Sequence, residues 1–263
     1  MDKFGFIAVM IILIVGGGVY VYYEYSHSKI IDTPVNNTSL NLTDITIANW
    51  NMQIFGDSKA SDPVMMSKYA SHIDDYDIIF IQEIRDEDGS SFVALCNLLP
   101  NYNCNISSRA GRSTSKEQYG VVYKKGISII EFVDFNPDTS LDRWERAPIY
   151  VTFNASGRIV EVYNIHTKPD DVKNELLNLQ GIVKNTGNQI VIGDLNADCN
   201  YYDNAANHEF ISWTWVIGDE IDTTSSDTDC AYDRIIMNYP YKSYGVDTTT
   251  TNMSDHYIVY VRI

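Results

Sequence analysis

The sequence predicts an α/β (α+β) domain built on mixed β-sheets, preceded by an N-terminal transmembrane helix. Three observations carry this reading. From Asp44 onward, apolar runs of strand character alternate with segments of helical spacing, the pattern of layered sheets with interspersed helices. The chain has 263 residues, 44% of them hydrophobic, enough for one large core. Residues Phe4 to Tyr23, "FGFIAVMIILIVGGGVYVYY", carry no charge, and about 20 apolar residues span a bilayer as a helix.

Residues 1–25 read as an uncleaved signal anchor. Lys3 precedes the apolar run, Glu24 and Lys29 follow it, and no A-x-A-like cleavage site is present. A secreted chain after signal cleavage is the alternative. Residues 26–43, with "DTPVNNTSLNLT", are polar and aperiodic and read as a stalk. Residues 44–263 form the third segment, with no internal boundary. In it "DITIANWNM" alternates like a strand, "VMMSKYASHI" has helical spacing, and "DIIFIQEI" is an apolar strand flanked by acids. "YGVVYK", "APIYVTF" and "IVEVYNIHT" continue the strands. "DDVKNELLNLQGIVKN" has an acidic first turn and helical spacing. "NQIVIGDLNAD", "AYDRIIMN" and "HYIVYVRI" are the last strands.

The charge narrows the function. With 35 Asp and Glu against 19 Lys and Arg, the formal charge is −16. Tight, charge-driven DNA binding needs cations to displace counterions, so a DNA-binding module is disfavoured. A hydrolase that touches phosphate briefly is not, because a divalent metal can carry the positive charge. Cys96, Cys104, Cys199 and Cys230 are an even number beyond an anchor, which fits disulfides in an oxidising, extracellular setting. Cys96 and Cys104 flank the short "NLLPNYN" and are expected to pair, two free thiols being the alternative.

Chemistry gathers at strand ends. Asn51, Glu83, His166, Asp194 with Asn196, and Asp255 with His256 each close an apolar run. Singly, each has an ordinary reading: a turn, a solvated loop, a satisfied core histidine. Together they suit phosphodiester hydrolysis. Carboxylate and amide oxygens hold Mg²⁺ or Mn²⁺, and two histidines move protons near neutral pH. Each histidine needs a carboxylate to fix its tautomer, and Glu117 and Asp233 are candidates.

The segments "SSRAGRSTSKEQYGVVYK", "RAPIYVTF", "GDLNADCNYY", "DTDCAYDRI" and "MSDHYIVYV" resemble the deoxyribonuclease I family of the endonuclease/exonuclease/phosphatase superfamily, over about Asp44 to Ile263. The resemblance implies a four-layer sandwich of two packed mixed β-sheets flanked by helices. It implies a DNA endonuclease using Mg²⁺ (or Mn²⁺) and structural Ca²⁺, with DNA as substrate and no protein partner beyond the monomer. His166 with Glu117 and His256 with Asp233 match the catalytic pairs, and Asp194 stands with them. Glu83, Asn51, Asp194, Asn196 and Asp255 match the metal and phosphate cluster. Arg85, Arg146 and Asn196 match substrate contacts. Cys199 and Cys230 match the family disulfide. Asp222, Thr224, Ser226 and Thr228 match one calcium loop. A second calcium loop matches at Asp142 and Trp144, but Ala147 stands where the family has a glutamate.

Two departures bear on substrate. Gln53 stands where minor-groove readers of the family carry an arginine, and Ser115 where they carry a tyrosine. Duplex engagement is therefore expected to be weaker than in the family, with the chemistry retained. Duplex cleavage rates of Gln53→Arg and Ser115→Tyr should exceed those of the natural chain; no gain in either variant removes this reading.

Overall fold

Period-two alternation along the strands decides which side chains meet between the sheets. In a computed structural model of the chain, residues 13–15, 18–20 and 44–263 are described, except 113, 114, 139, 140 and 185. They fall into two compact units, Met1–Asn37 and Thr38–Ile263.

In the first unit, β1 (Leu13–Val15) and β2 (Gly18–Tyr20) pair antiparallel. The described part of the expected anchor, residues 13–15 and 18–20, is thus two short paired strands, and the expected transmembrane helix is not shown. The remainder of that segment, and the expected stalk up to residue 43, lie outside the described residues. No described helix is long and apolar enough to cross a membrane.

The second unit runs in chain order through β3 (Thr46–Phe55), α1 (Asp57–Ala60), α2 (Pro63–Ile73), β4 (Ile78–Ile84) and α3 (Ser90–Cys96). Then come β5 (Tyr102–Ile106), β6 (Gln118–Lys124), β7 (Ile127–Asp134), β8 (Ile149–Ala155) and β9 (Arg158–Asn164). It ends with α4 (Val172–Ile182), β10 (Gln189–Asp194), β11 (Thr214–Trp215), β12 (Asp233–Met237), β13 (Ser243–Asp247) and β14 (Ile258–Arg262). One six-stranded sheet has the order β13-β14-β3-β4-β6-β5, the other β11-β12-β10-β9-β8-β7. Only β3 with β4 and β9 with β10 are parallel among these pairs, so both sheets are mixed. Each parallel pair is joined through helices, α1 and α2 in one sheet and α4 in the other, as parallel neighbours require.

The inner faces meet in one apolar cluster that includes Ile47, Phe80 and Val121 of the first sheet and Val151, Val162, Ile192 and Ile235 of the second. Alternate residues face outward. Trp50, Ile79 and Ile81 are covered by Met66, Tyr69 and Ile73 of α2 and Phe92 of α3. Tyr163, Val191 and Ile236 are covered by Leu176 and Leu179 of α4. Each fully buried side chain of this size contributes about 1.5–3 kcal/mol. α2 starts cleanly because Asp62 accepts from the N–H groups of Val64 and Met65 while Pro63 occupies the first helical position. Cys96–Cys104 ties α3 to β5, and Cys199–Cys230 joins the loop after β10 to the start of β12.

At Gly193, φ is +156°, and a Cβ would lie 1.9 Å from the carbonyl oxygen of Ile165. The obstacle is backbone and cannot yield. Gly181, exposed in α4, has nothing within 4 Å of that position. Gly193→Ala should lower unfolding free energy by at least ~3 kcal/mol, whereas Gly181→Ala should raise it by about 0.5–1 kcal/mol, both read from urea midpoints.

Candidate active site

The apolar stripe between the sheets turns polar at one edge. Following period two, Ile47 leads to Asn49 and Asn51, Phe80 to Gln82, Val162 to Asn164, Ile192 to Asp194, and Ile235 to Asp233. Asn49, Gln82, Asn164 and Asp233 have no solvent exposure. They bond to one another: Asn49 Nδ2 donates to Gln82 Oε1 at 3.0 Å and to Asp233 Oδ1 at 3.3 Å. Asn49 Oδ1 accepts from Gln82 Nε2 at 2.8 Å and from Asn164 Nδ2 at 3.1 Å. Sequence reading named Asp233 but missed Asn49, Gln82 and Asn164. The layer's signal was present, a polar residue two positions from each core residue on four strands.

Above the layer stand two imidazole–carboxylate pairs. His166 Nδ1 is 2.7 Å from Glu117 Oε1, and His256 Nδ1 is 2.6 Å from Asp233 Oδ2. Both Nε2 atoms face one oxygen, Asp194 Oδ2, at 3.3 Å and 3.6 Å. Backbone contacts fix the rings. His166 N donates to Tyr119 Oη at 3.1 Å, and His256 N to Ser254 Oγ at 3.1 Å. Tyr119 is a second residue that sequence reading passed over.

Burial and charge compete at these groups. Burial opposes ionisation of Glu117, but His166, Arg146 and Arg85 outweigh it, so its pKa is lowered. Burial opposes ionisation of Asp194 too, and His256 and His166 outweigh it. For His166, burial disfavours the cation, yet Glu117 and Asp194 raise its pKa. For His256 the same contest, with Asp233 and Asp194 opposing burial, raises the pKa to about 10. Burial lifts Asp233 to about 6 against the pull of His256. Between those values the pair is imidazolium facing carboxylate.

The other expected site residues cluster beside these pairs. Asn51 Nδ2 donates to Asp194 Oδ2 at 2.9 Å and to Glu83 Oε1 at 3.2 Å, while its Oδ1 accepts from Gln53 N. Its amide nitrogen, not its oxygen, faces the carboxylates. Glu83 Oε2 accepts from Ile54 N at 2.9 Å and from Arg85 at 3.0 Å. Asn196 N donates to Asp194 Oδ1 at 3.2 Å, and its side chain to Thr167 O at 3.1 Å. Asp255 is half exposed, 3.8 Å from His256 Nε2. Arg146 departs from its expected place as a substrate contact. It is buried, donates to the carbonyls of His166 and Thr167 at 3.0 Å and 2.8 Å, and lies 3.5 Å from Glu117. A cation here offsets a buried carboxylate, a stronger demand than reaching solvent.

Asp194, Asp233 and His256 offer ligand atoms within 4.8 Å of one another. Asp233 Oδ2 is committed to the imidazole, however, so that trio is a hydrogen-bonded pair with a neighbour. The carboxylates of Glu83 and Asp194 are hard oxygen donors that fit a divalent cation, and Asn51 would add its oxygen with its amide turned over. A second oxygen cluster lies in the loop before β12. Thr224 Oγ1 is 3.3 Å from Asp222 Oδ1, 3.0 Å from Ser226 Oγ and 3.2 Å from the carbonyl of Thr228. Ser226 Oγ is 3.1 Å from Thr228 Oγ1. Convergent hard oxygens of this kind fit Ca²⁺.

The Endonuclease/Exonuclease/phosphatase family profile matches residues 48–256. The chain belongs to the endonuclease/exonuclease/phosphatase family. Within it the similarity is to the deoxyribonuclease I group. Deoxyribonuclease-1-like 2 of Mus musculus is 31% identical over 74% of this chain and 77% of its own length. Deoxyribonuclease gamma of Homo sapiens is 33% identical over 73% of this chain and 71% of its own. A solved mannosyl-6-phosphatase of Bacteroides thetaiotaomicron VPI-5482 superposes with a TM-score of 0.61 at 17% identity, over 83% of this chain and 99% of that one. That likeness shows the fold shared across the endonuclease/exonuclease/phosphatase family.

Glu175 of α4 braces the site from behind. It is buried and accepts from the N–H groups of Glu145 at 2.7 Å and Lys168 at 3.1 Å. Burial pushes its pKa up to about 7, against an ordinary 4.5. A raised folded-state pKa stabilises fully below the unfolded value and loses that contribution as pH rises through the folded one. From pH 5 to 8 the stability of Glu175→Gln relative to the natural chain should therefore shift in favour of the variant by up to about 3 kcal/mol. Urea titrations of both proteins across that range check it.

Proposed function

We propose that the chain is a metal-dependent endonuclease that hydrolyses DNA phosphodiester bonds, anchored in a membrane by its N-terminal segment and facing outside. The carrying observation is the pair of imidazoles, each braced at Nδ1 by a buried carboxylate, with both Nε2 atoms facing Asp194. Deoxyribonucleases at 31% and 33% identity support DNA as the substrate. The uncharged run Phe4–Tyr23 supports the anchor. The monomer remains part of the proposal.

A phosphodiester phosphorus would sit where both Nε2 atoms reach its oxygens. One imidazole takes a proton from the attacking water as the new P–O bond forms. The other, as imidazolium, gives a proton to the leaving oxygen as its bond to phosphorus breaks. Glu117 and Asp233 hold each ring in its working tautomer and stabilise its charged form. Glu83, Asn51, Asp194, Asn196 and Asp255 would hold Mg²⁺ or Mn²⁺, which when bound neutralises charge on the phosphoryl oxygens. Arg85, 3.0 Å from Glu83 and part exposed, would meet a backbone phosphate. Asp222, Thr224, Ser226 and Thr228 would hold Ca²⁺ as a structural ion.

The second reading keeps the reaction and changes the substrate to a sugar or lipid phosphate, as the shared fold with a mannosyl-6-phosphatase allows. Nicking of supercoiled plasmid by the full-length chain with Mg²⁺ separates the two. We expect nicking, reduced by ~10²–10⁴-fold in His166→Ala and Asp233→Ala. The exposed neighbours Asp227→Ala and Asp229→Ala should keep it. Full nicking by His166→Ala overturns the mechanism; hydrolysis of sugar phosphates without nicking moves the conclusion to the second reading.

A further inference from the structure

The loop between β7 and β8 delivers Arg146 to Glu117 and His166. We infer that residues 141–147 of this loop are held by two arginines at the place where the deoxyribonuclease I group implies a second calcium ion, and that they need no cation to keep their place.

Calcium takes six to eight oxygens. Both carboxylate oxygens of Asp138 are already committed: Oδ1 accepts from an Arg143 Nη at 2.9 Å, and Oδ2 from Arg143 Nε at 3.1 Å and Arg143 N at 2.7 Å. Asp142 is committed likewise, its Oδ1 2.8 Å from Arg112 Nε and its carbonyl 2.6 Å from an Arg112 Nη. Residue 147 is alanine, buried at 4% exposure in the cluster beneath α4, and has no oxygen to offer. Two guanidinium groups thus occupy the oxygens a cation would need and repel its charge. A divalent ion does not fit.

The two pairs are unequal. Arg143–Asp138 is forked and largely shielded, with side-chain exposures of 24% and 8%, the geometry that makes ion pairs strong. Arg112–Asp142 is exposed at 41% and 74%, where an ion pair contributes little. Arg143 also stacks over Trp144 at 4.1 Å. The backbone is then fastened to its surroundings. Arg112 N donates to Glu145 Oε1 at 2.9 Å, Asn178 of α4 donates to Arg143 O at 3.1 Å, and Trp144 Nε1 donates to Glu175 O at 3.0 Å. Arg143 is therefore the closing residue, with Arg112 secondary. Residues 222–228 differ: Asp222 Oδ1 accepts from the backbone N–H groups of Thr224 at 3.0 Å and Cys230 at 3.2 Å rather than from a guanidinium, and the hydroxyls of Thr224 and Ser226 face other oxygens.

Amide hydrogen exchange of the full-length chain tests this without substrate, independently of the nuclease reading. Protection of a peptide covering residues 141–147 should be unchanged between Ca²⁺ and EGTA in an Asp222→Ala background, which removes indirect effects of the other loop. Arg143→Ala should speed exchange there at least tenfold, unrestored by Ca²⁺, with Arg112→Ala showing a smaller change. Calcium-dependent protection of residues 141–147 in Asp222→Ala, or Arg143→Ala with unaltered exchange, overturns the inference.

Discussion

Three carboxylates removed from solvent, Glu117, Asp194 and Asp233, set the conditions for the rest of the site. A buried charge without a partner costs several kcal/mol, so each must be matched. His166 and Arg146 serve Glu117; both imidazoles and Asn51 serve Asp194; His256 and Asn49 serve Asp233. The same requirement that keeps the acids ionised fixes both rings and raises the basicity of both. Asn49, Gln82 and Asn164 follow from it as well. A buried amide layer beneath the acids lets the apolar core end with most of its polar groups matched, Asn164 Oδ1 being an exception.

The sheets supply the convergence, and local exceptions to regular strand geometry aim it. Glu83 and Asn196 sit at φ +60° and +46°, and Gln53 and Ile54 at +44° and +54°. Positive φ is disfavoured for such residues and most of all for a β-branched one. Ile54 accepts it where its N–H reaches Glu83 Oε2. In β4 the pairing register shifts between Ile81 and Ile84, so Glu83 leaves the alternation that would have buried it outward among the α2 contacts. Four of the nine non-glycine residues with positive φ among the described residues thus lie around the carboxylates of the site.

Much of the fold was legible where periodicity is strong. The apolar runs of β3, β4, β8, β9, β10 and β14 and the helical spacing of α2 and α4 read directly, because burial on one or both faces imposes the pattern. β5, "YNCNI", and β13, "SYGVD", are edge strands with polar or half-exposed residues, so nothing in their composition separates them from loops. α3 begins at Gly89 in the left-handed region without a side-chain cap, which removes the usual start signal. At the site, residues closing apolar runs stood out. Asn49, Gln82 and Asn164 lie within strands, and only the pairing of two sheets reveals that they share one face. The burial of Arg146 was hidden for the converse reason: its charge faces an internal carboxylate that sequence cannot locate. At the N-terminus the uncharged run Phe4–Tyr23 carries the expectation of an anchor, and most of it lies outside the described residues.

The loop before β12 binds these features into one unit. Thr224 turns its side chain into the oxygen cluster with Asp222, Ser226 and Thr228, while its backbone pairs with His256 in an isolated antiparallel bridge. Its neighbours extend the pairing: Tyr257 N donates to Thr223 O at 2.8 Å and Ser225 N to Asp255 O at 2.9 Å. Thr223 Oγ1 in turn accepts from Asp233 N at 3.0 Å. The same short segment thus supports both members of the His256–Asp233 pair and the oxygen cluster. Cys230, joined to Cys199, anchors its far end to the loop that carries Asp194 and Asn196. An ion drawing those oxygens together would act on His256 through two backbone hydrogen bonds rather than through its own field. Order in the loop and the orientation of the imidazole are therefore one mechanical problem, and the acids that look interchangeable in "SSDTDCAYD" divide between solvating its surface and holding its catalytic edge.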